Sequence, residues 1–235
     1  VIGASRGIGE AISKSLLLDN ANVIALSRSD INYDCQNLKF DITQDDSIIN
    51  LTNYLRLKHK YIDGIVFAAA KSIAPQKKKK KNHCDLQEPS IFNQLIKTNL
   101  LSIYNCIYQL KDYLNENSSI VMISSIGAHL AFPNNPGYQV SKAGLESMAR
   151  ALSYDLSSKK IRANSVVLGY IKTDMTMGSY TNQQMRQERT NRTILNRWGE
   201  VKDVTGAVKF LLSEEAKYVT GTSIIVDGGW LSKGL

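Results

Sequence analysis

The chain holds 235 residues, 43% of them hydrophobic, enough for a packed core and too many for a disordered segment. No apolar run approaches the roughly 20 residues of a membrane span, and no signal-peptide pattern is read at the start, so a cytoplasmic protein with no membrane partner is expected. The formal net charge of +8 points at nucleic acid, but the single run Lys77–Lys81 supplies five cations, and without it 24 basic residues face 21 acidic ones. No basic stripe with interleaved aromatics remains, so a nucleic-acid partner is not expected. Three cysteines (Cys35, Cys84, Cys106) and three histidines (His59, His83, His129) show no ligand or redox spacing, so a reduced protein without a metal is expected.

In chain order, Val1-Ile2-Gly3 opens without methionine and is read as the end of a strand whose first residues are missing. Gly3-Ala-Ser5-Arg6-Gly7-Ile8-Gly9 follows as a glycine-rich turn, and Ile8, Ile12 and Leu16 fit one buried helical face. Glycines let backbone approach a pyrophosphate closely, and a helix N-terminus offers unpaired N–H groups and a positive dipole end. The spacing Gly-x-x-x-Gly-x-Gly differs from the commonest dinucleotide fingerprint. Asn22–Ser27 is the next strand, ending in Ser27-Arg28. An acid at that strand end would bond a ribose 2′-hydroxyl, whereas an arginine suits a 2′-phosphate. With Arg28 there, Arg6 in the loop and Asp30 only in the turn beyond, NADP(H) is expected over NAD(H).

Asn37–Asp41 is predicted as a short strand, Asp45–His59 as a helix capped by Asp45 or Thr43, and Ile62–Ala70 as a continuously apolar, buried strand. A long helix is expected within Leu86–Tyr113, then a strand at Ser118–Ser125, a helix at Tyr138–Ser157 and a strand at Ile161–Leu168. Positions 169–197 turn polar, with scattered methionines, and the stretch at about 172–197 is read as a lid-like insertion beyond a strand end. Val201–Leu212 and Ser223–Val226 are the final helix and strand. The alternation predicts an α/β fold: one doubly wound, Rossmann-type parallel sheet with helices on both faces, in one domain over 1–235.

The helix beginning near Tyr138 carries the chemistry. Tyr138 and Lys142 stand one turn apart on the same face. An ammonium beside the phenol favours its phenolate, so a lowered tyrosine pKa is expected, with Tyr138 able to donate or accept a proton near neutral pH. Ser125, at the end of its strand, can offer a hydroxyl to a substrate oxygen.

These pieces, in this order, resemble the short-chain dehydrogenase/reductase family across nearly the whole chain. The matching elements are Gly3-x-x-x-Gly7-x-Gly9, Lys97-Thr-Asn99-Leu, Ser125, Tyr138-x-x-x-Lys142, Gly169-Tyr-Ile171-Lys-Thr173 and the closing Val219-Thr-Gly-Thr-Ser-Ile-Ile-Val-Asp-Gly-Gly. The resemblance implies that Tyr138 is the general acid/base and that Ser125 orients the substrate carbonyl. It implies that Lys142 binds the nicotinamide ribose and that Asn99 holds a water of a proton relay. The glycine loop, Ser27-Arg28, Ala69-Ala70, Asp41-Ile42 (at the adenine), and Ile171 and Thr173 (at the nicotinamide carboxamide) would line the cofactor. A homotetramer or homodimer, built through the helices after the fourth and fifth strands, is also implied.

Three places depart from the family pattern. Ile2 stands where a threonine usually braces the loop, Phe67-Ala68-Ala69-Ala70 replaces Asn-Asn-Ala-Gly, and Leu168-Gly169 replaces Pro-Gly. Weaker cofactor binding is expected, with the chemistry intact. The Thr173-Asp-Met-Thr176 stretch looks most like 3-oxoacyl-carrier-protein reductases, with sugar and polyol dehydrogenases as the alternative. A non-catalytic dinucleotide-binding regulator is the alternative from another class. Lys77–Lys81 is read as a solvated loop, with steering of an anionic substrate, such as an acyl group on an acidic carrier protein, as the alternative.

Overall fold

The computed structural model describes residues 1–73 and 86–233. Lys77–Lys81, and the steering role considered for it, lie outside the described residues. Among the described residues six strands form: β1 (Ile24–Ser27), β2 (Gln36–Lys39), β3 (Ile62–Phe67), β4 (Leu114–Ser125), β5 (Arg162–Leu168) and β6 (Ser223–Val226). All pairings are parallel, β1 with β2 and then β3-β4-β5-β6. The opening residues join the two groups. Ile2 bridges both Leu26 and Phe67, while the Ile2 N–H donates to Val66 O and the Ala68 N–H to Ile2 O, each at 2.9 Å. The sheet therefore runs outward in both directions from the chain's start, and its topological switch point lies beside the glycine loop.

Helices cover both faces: α1 (Gly7–Leu18), α2 (Asp45–Leu57), α3 (Pro89–Ile96), α4 (Ser102–Leu110), α5 (Pro136–Asp155), α6 (Met177–Thr181), α7 (Gln183–Arg192) and α8 (Val201–Leu212). Successive strand side chains point to opposite faces, and β4 shows what that does. Ile120 and Met122 join a core with Leu51 of α2, Ile107 of α4 and Leu145 of α5. Val121 and Ile123 join a second core with Ile12 of α1 and Val204 and Val208 of α8. Each such fully buried side chain contributes about 1.5–3 kcal/mol.

Four expectations shift in ways that shape the site. The strand predicted to reach Ala70 ends at Phe67, releasing Ala68–Ala70 to pack on the glycine loop. The helix expected from Tyr138 starts two residues earlier, with Pro136 as the first residue of α5, where its missing N–H costs nothing. The position before α2 belongs to Gln44, without a side-chain cap; Asp41 instead accepts from the Thr43 N–H and hydroxyl. The long helix expected before β4 is interrupted by a π-turn, Lys97–Leu101, centred on Asn99. The polar stretch after β5 folds as α6 and α7, and the Asn182 side chain caps α7 by accepting from the Met185 N–H at 2.9 Å.

Candidate active site

The strands end on one edge of the sheet, and the residues singled out in the sequence gather there. Ser125 closes β4, and its Oγ accepts from the Gly127 N–H at 3.1 Å. That bond occupies a lone pair and leaves the hydroxyl proton free to donate. A methyl placed on Gly127 would lie 3.5 Å from both Ser125 Oγ and Tyr138 Cε1, so serine and tyrosine converge over this glycine. Phe132 Cδ2 stands 3.6 Å from the same point and closes the group on the third side.

Lys142 lies behind Tyr138, only 2% exposed, with Nζ donating to Ile123 O at 2.7 Å and 5.6 Å from the centre of the tyrosine ring. Burial pulls its pKa from 10.5 to about 8. For Tyr138 the structure reverses the expected direction. Burial raises the phenol's pKa, the hydrogen bond with Ser125 only partly opposes it, and the neighbouring Tyr170 adds to the rise. The ammonium is committed to a backbone carbonyl, and removing the phenol from water outweighs it.

Asn99 is fully buried. Its Oδ1 accepts from the Lys71 N–H at 2.8 Å, and Nδ2 donates to Lys71 O at 2.9 Å and to Ser141 Oγ at 3.2 Å. Ser141 in turn donates to Tyr138 O at 2.7 Å. Both amide protons are therefore consumed, so a water held by Asn99 would have to use an oxygen acceptor. The π-turn accounts for this placement. Its extra residue turns Asn99 inward to tie the segment after β3 to the first turn of α5.

The glycine loop is compact. Gly3 takes φ +88°, and a β-carbon there would fall 2.6 Å from Ala69 N; one on Gly9 would meet Gly3 O at 2.1 Å. Among the described residues no side-chain cap forms at the start of α1, and Gly7 faces Thr173 Cγ2. Bare N–H groups, a glycine cradle and Thr173 above it fit a dinucleotide pyrophosphate. Ser5 and Ile8 are partly buried within this loop, and exposed Arg6 pairs with Asp174 at 3.6 Å. Tyr33, which no spacing in the sequence marks, donates to Ala4 O at 2.9 Å and braces the loop.

The remaining candidates separate. Ser27 is buried and its hydroxyl donates to Ser29 O, so it serves its own turn, while Arg28 is exposed beside it. Asp30 is held by Lys39 at 2.6 Å. Asp41 faces burial, which raises its pKa, but the two Thr43 bonds prevail and hold it below the ordinary carboxylate value. Ile42 is 6% exposed and built into the core, so an adenine contact there falls to backbone or to Asp41. Ile171 is likewise buried and bridges Gly199, and Ala69 and Ala70 are partly buried.

Two groups escaped the sequence reading. Glu146, 7% exposed, accepts from Ser124 Oγ at 2.9 Å and meets His129 Nε2 at 3.1 Å. It stands four residues after Lys142, so extending the Tyr138–Lys142 spacing by one turn would have found it. Ser141 carries no such signal, being one more small residue on α5.

A family model described as Enoyl-(Acyl carrier protein) reductase matches residues 3–231. Similar curated proteins include L-xylulose reductase of Caenorhabditis elegans, 30% identical over 98% of this chain and 94% of that protein. The 3-oxoacyl-[acyl-carrier-protein] reductase of Escherichia coli K12 is 28% identical over 97% and 95%. Among solved structures, a short chain dehydrogenase family protein from Francisella tularensis superposes with a TM-score of 0.86 at 27% identity, over 99% of this chain and 97% of that one. The aldohexose dehydrogenase of Thermoplasma acidophilum gives 0.89 at 25%, over 100% and 93%. With the fold, the ordered motifs and the near-complete match in agreement, the chain belongs to the short-chain dehydrogenase/reductase family of NAD(P)-dependent oxidoreductases.

Proposed function

We propose that this protein interconverts a carbonyl and a secondary alcohol, using NADP(H), with Tyr138 as the proton donor and acceptor. The observation carrying the reading is the convergence of Ser125 Oγ and the Tyr138 ring over Gly127, with Lys142 buried behind them. Ser125, its oxygen already accepting from Gly127, donates to the substrate oxygen and holds it beside the phenol. Tyr138, whose phenol burial holds above the ordinary tyrosine pKa, gives its proton to that oxygen as negative charge develops. Lys142 would hold the cofactor ribose, and Asn99 fixes α5 through Ser141. The bound nicotinamide supplies or accepts the hydride. Gly3, Ser5, Arg6, Gly7, Ile8 and Gly9 would cradle its pyrophosphate, and Thr173 and Ile171 would face its nicotinamide end.

Support for NADP(H) comes from the end of β1, where Arg28 is exposed and the acid of the following turn, Asp30, is engaged by Lys39. Binding titrations should give NADPH a Kd at least tenfold below that of NADH, and Arg28→Ala should erase the difference. Equal affinities in the parent protein would remove the preference. The relatives that act on 3-oxoacyl thioesters and on L-xylulose define the first substrate panel, 3-oxoacyl thioesters against sugar ketones. Cofactor binding with no turnover on either class would favour a non-catalytic regulator.

The sheet and its covering helices support one dinucleotide-binding domain over 1–235, with the lid at about 172–197. Exposed Leu101, Tyr104 and Tyr108 form a stripe along the helix after β3, which supports a homodimer or homotetramer. Light scattering that returns a monomer mass at micromolar concentration would overturn that assembly.

A further inference from the structure

The cleft has a wall that the proton chemistry does not use. Phe132, which meets Tyr138 and Ser125 over Gly127, packs in one cluster with Tyr170 and Trp230. Tyr170 and Trp230 lie 5.0 Å apart, and Tyr170 also touches Trp198 at 5.2 Å between ring centres. Helix α7 is laid over these rings with its arginines at three-residue spacing. The Arg189 guanidinium is 4.7 Å from the Tyr170 ring centre, and that of Arg192 is 5.8 Å from Trp230. Arg186 lies 5.5 Å from the ring centre of Tyr180, which Lys172 also faces at 4.5 Å.

Stacking orients a guanidinium without neutralising it. Among the described residues none of these four cations has a carboxylate within 4 Å; the nearby Arg197 is matched by Asp203, at 2.6 Å. Arg189 goes further: its Nη1 donates to Met185 O at 3.2 Å, but its Nε is buried and has no partner among the described residues. A buried, unbonded N–H on a permanent cation costs free energy unless something accepts from it.

We propose that Arg189, with Arg192 beside it, receives an anionic group, a carboxylate or phosphate, carried by the substrate away from its reacting carbonyl. The site is thereby built for oxo and hydroxy acids, or phosphorylated ketones and alcohols, rather than for neutral ones. The inference rests on Ser125 and Tyr138 marking the reacting end. Arg189 acts here as a specificity-determining residue, not as a participant in proton transfer.

Both tryptophans of the chain, Trp198 and Trp230, belong to this wall, so intrinsic emission reports on it directly. Titrating the protein with 4-oxopentanoate, its methyl ester, dihydroxyacetone phosphate and dihydroxyacetone separates the two anions from their neutral counterparts. The charged member of at least one pair should give a saturable change in emission that its neutral partner lacks. Arg189→Gln should weaken that binding by roughly 10- to 100-fold, the loss of a charge-assisted bond, and Arg189→Lys should restore part of it. In turnover with NADPH, the acid-to-ester or phosphate-to-alcohol ratio of kcat/KM should fall by a similar factor in Arg189→Gln. Saturable anion binding without turnover on any ketone would leave this inference standing and sink the enzymatic reading. Turnover with no preference for the charged member of either pair would do the reverse.

Discussion

At the scale of single residues, Lys142 is a buried cation with a measurable signature. It is 2% exposed, its one hydrogen-bond acceptor among the described residues is Ile123 O, and burial lowers its pKa from 10.5 to about 8. The folded chain therefore releases this proton more easily than the unfolded chain. Between about pH 8 and 10.5 the unfolded state binds more protons, so this group's contribution makes stability rise with pH across that window and level off above it. The full effect is on the order of 3 kcal/mol. Denaturant unfolding at pH 7 to 10.5 should show that rise as a difference between the parent and Lys142→Met. Identical pH profiles would mean that the ammonium is not buried as described. Activity should move oppositely, with kcat/KM for carbonyl reduction falling above about pH 8 as the lysine loses its charge. The sequence placed this lysine beside the phenol but misjudged the phenol itself. Spacing reveals which groups are neighbours, while the balance between attraction and desolvation depends on how much water the fold excludes.

At the scale of elements, the glycine loop and the π-turn show where local pattern suffices and where it does not. The loop was legible because close backbone approach permits few residue types. A β-carbon on Gly9 would lie 2.1 Å from Gly3 O, a distance that no side-chain rotation relieves. Gly206, exposed in the middle of α8, has nothing within 4 Å of the equivalent point. Gly206→Ala should therefore stabilise the protein by about 0.5–1 kcal/mol, whereas Gly9→Ala should abolish cofactor binding and lower Tm. Thermal melts with and without NADPH make the comparison, and a Gly9→Ala protein that still gains Tm from cofactor would contradict the loop's role. The π-turn was not legible. Ile96, Leu100, Ile103 and Ile107 keep ordinary helical spacing and so hide the one trace of an inserted residue, the five-residue step from Leu95 to Leu100. What requires the insertion is a buried amide clamping the Lys71 backbone, 28 residues away in the chain. The polar stretch between β5 and α8 hid α6 and α7 for a related reason. Helix α7 has no buried residue to set an apolar period, and its inward face is made of arginines against aromatic rings.

For the whole molecule, the order of strands and helices was readable because parallel strands buried on both faces are continuously apolar and alternate with amphipathic helices. The doubly wound sheet places the glycine loop, the end of β4 and the start of α5 at a single edge, although the loop is more than a hundred residues from the other two in the chain. That edge joins a dinucleotide cradle to a serine–tyrosine pair, and the two parts make separable demands on experiment. Tyr138→Phe removes one hydroxyl from the pair and touches none of the loop. Measured together, NADPH affinity and turnover on the most reactive ketone or 3-oxoacyl thioester should dissociate, with Kd within about threefold of the parent and kcat/KM lower by about 10²- to 10⁴-fold. Turnover retained within tenfold while the variant still binds NADPH would contradict the account.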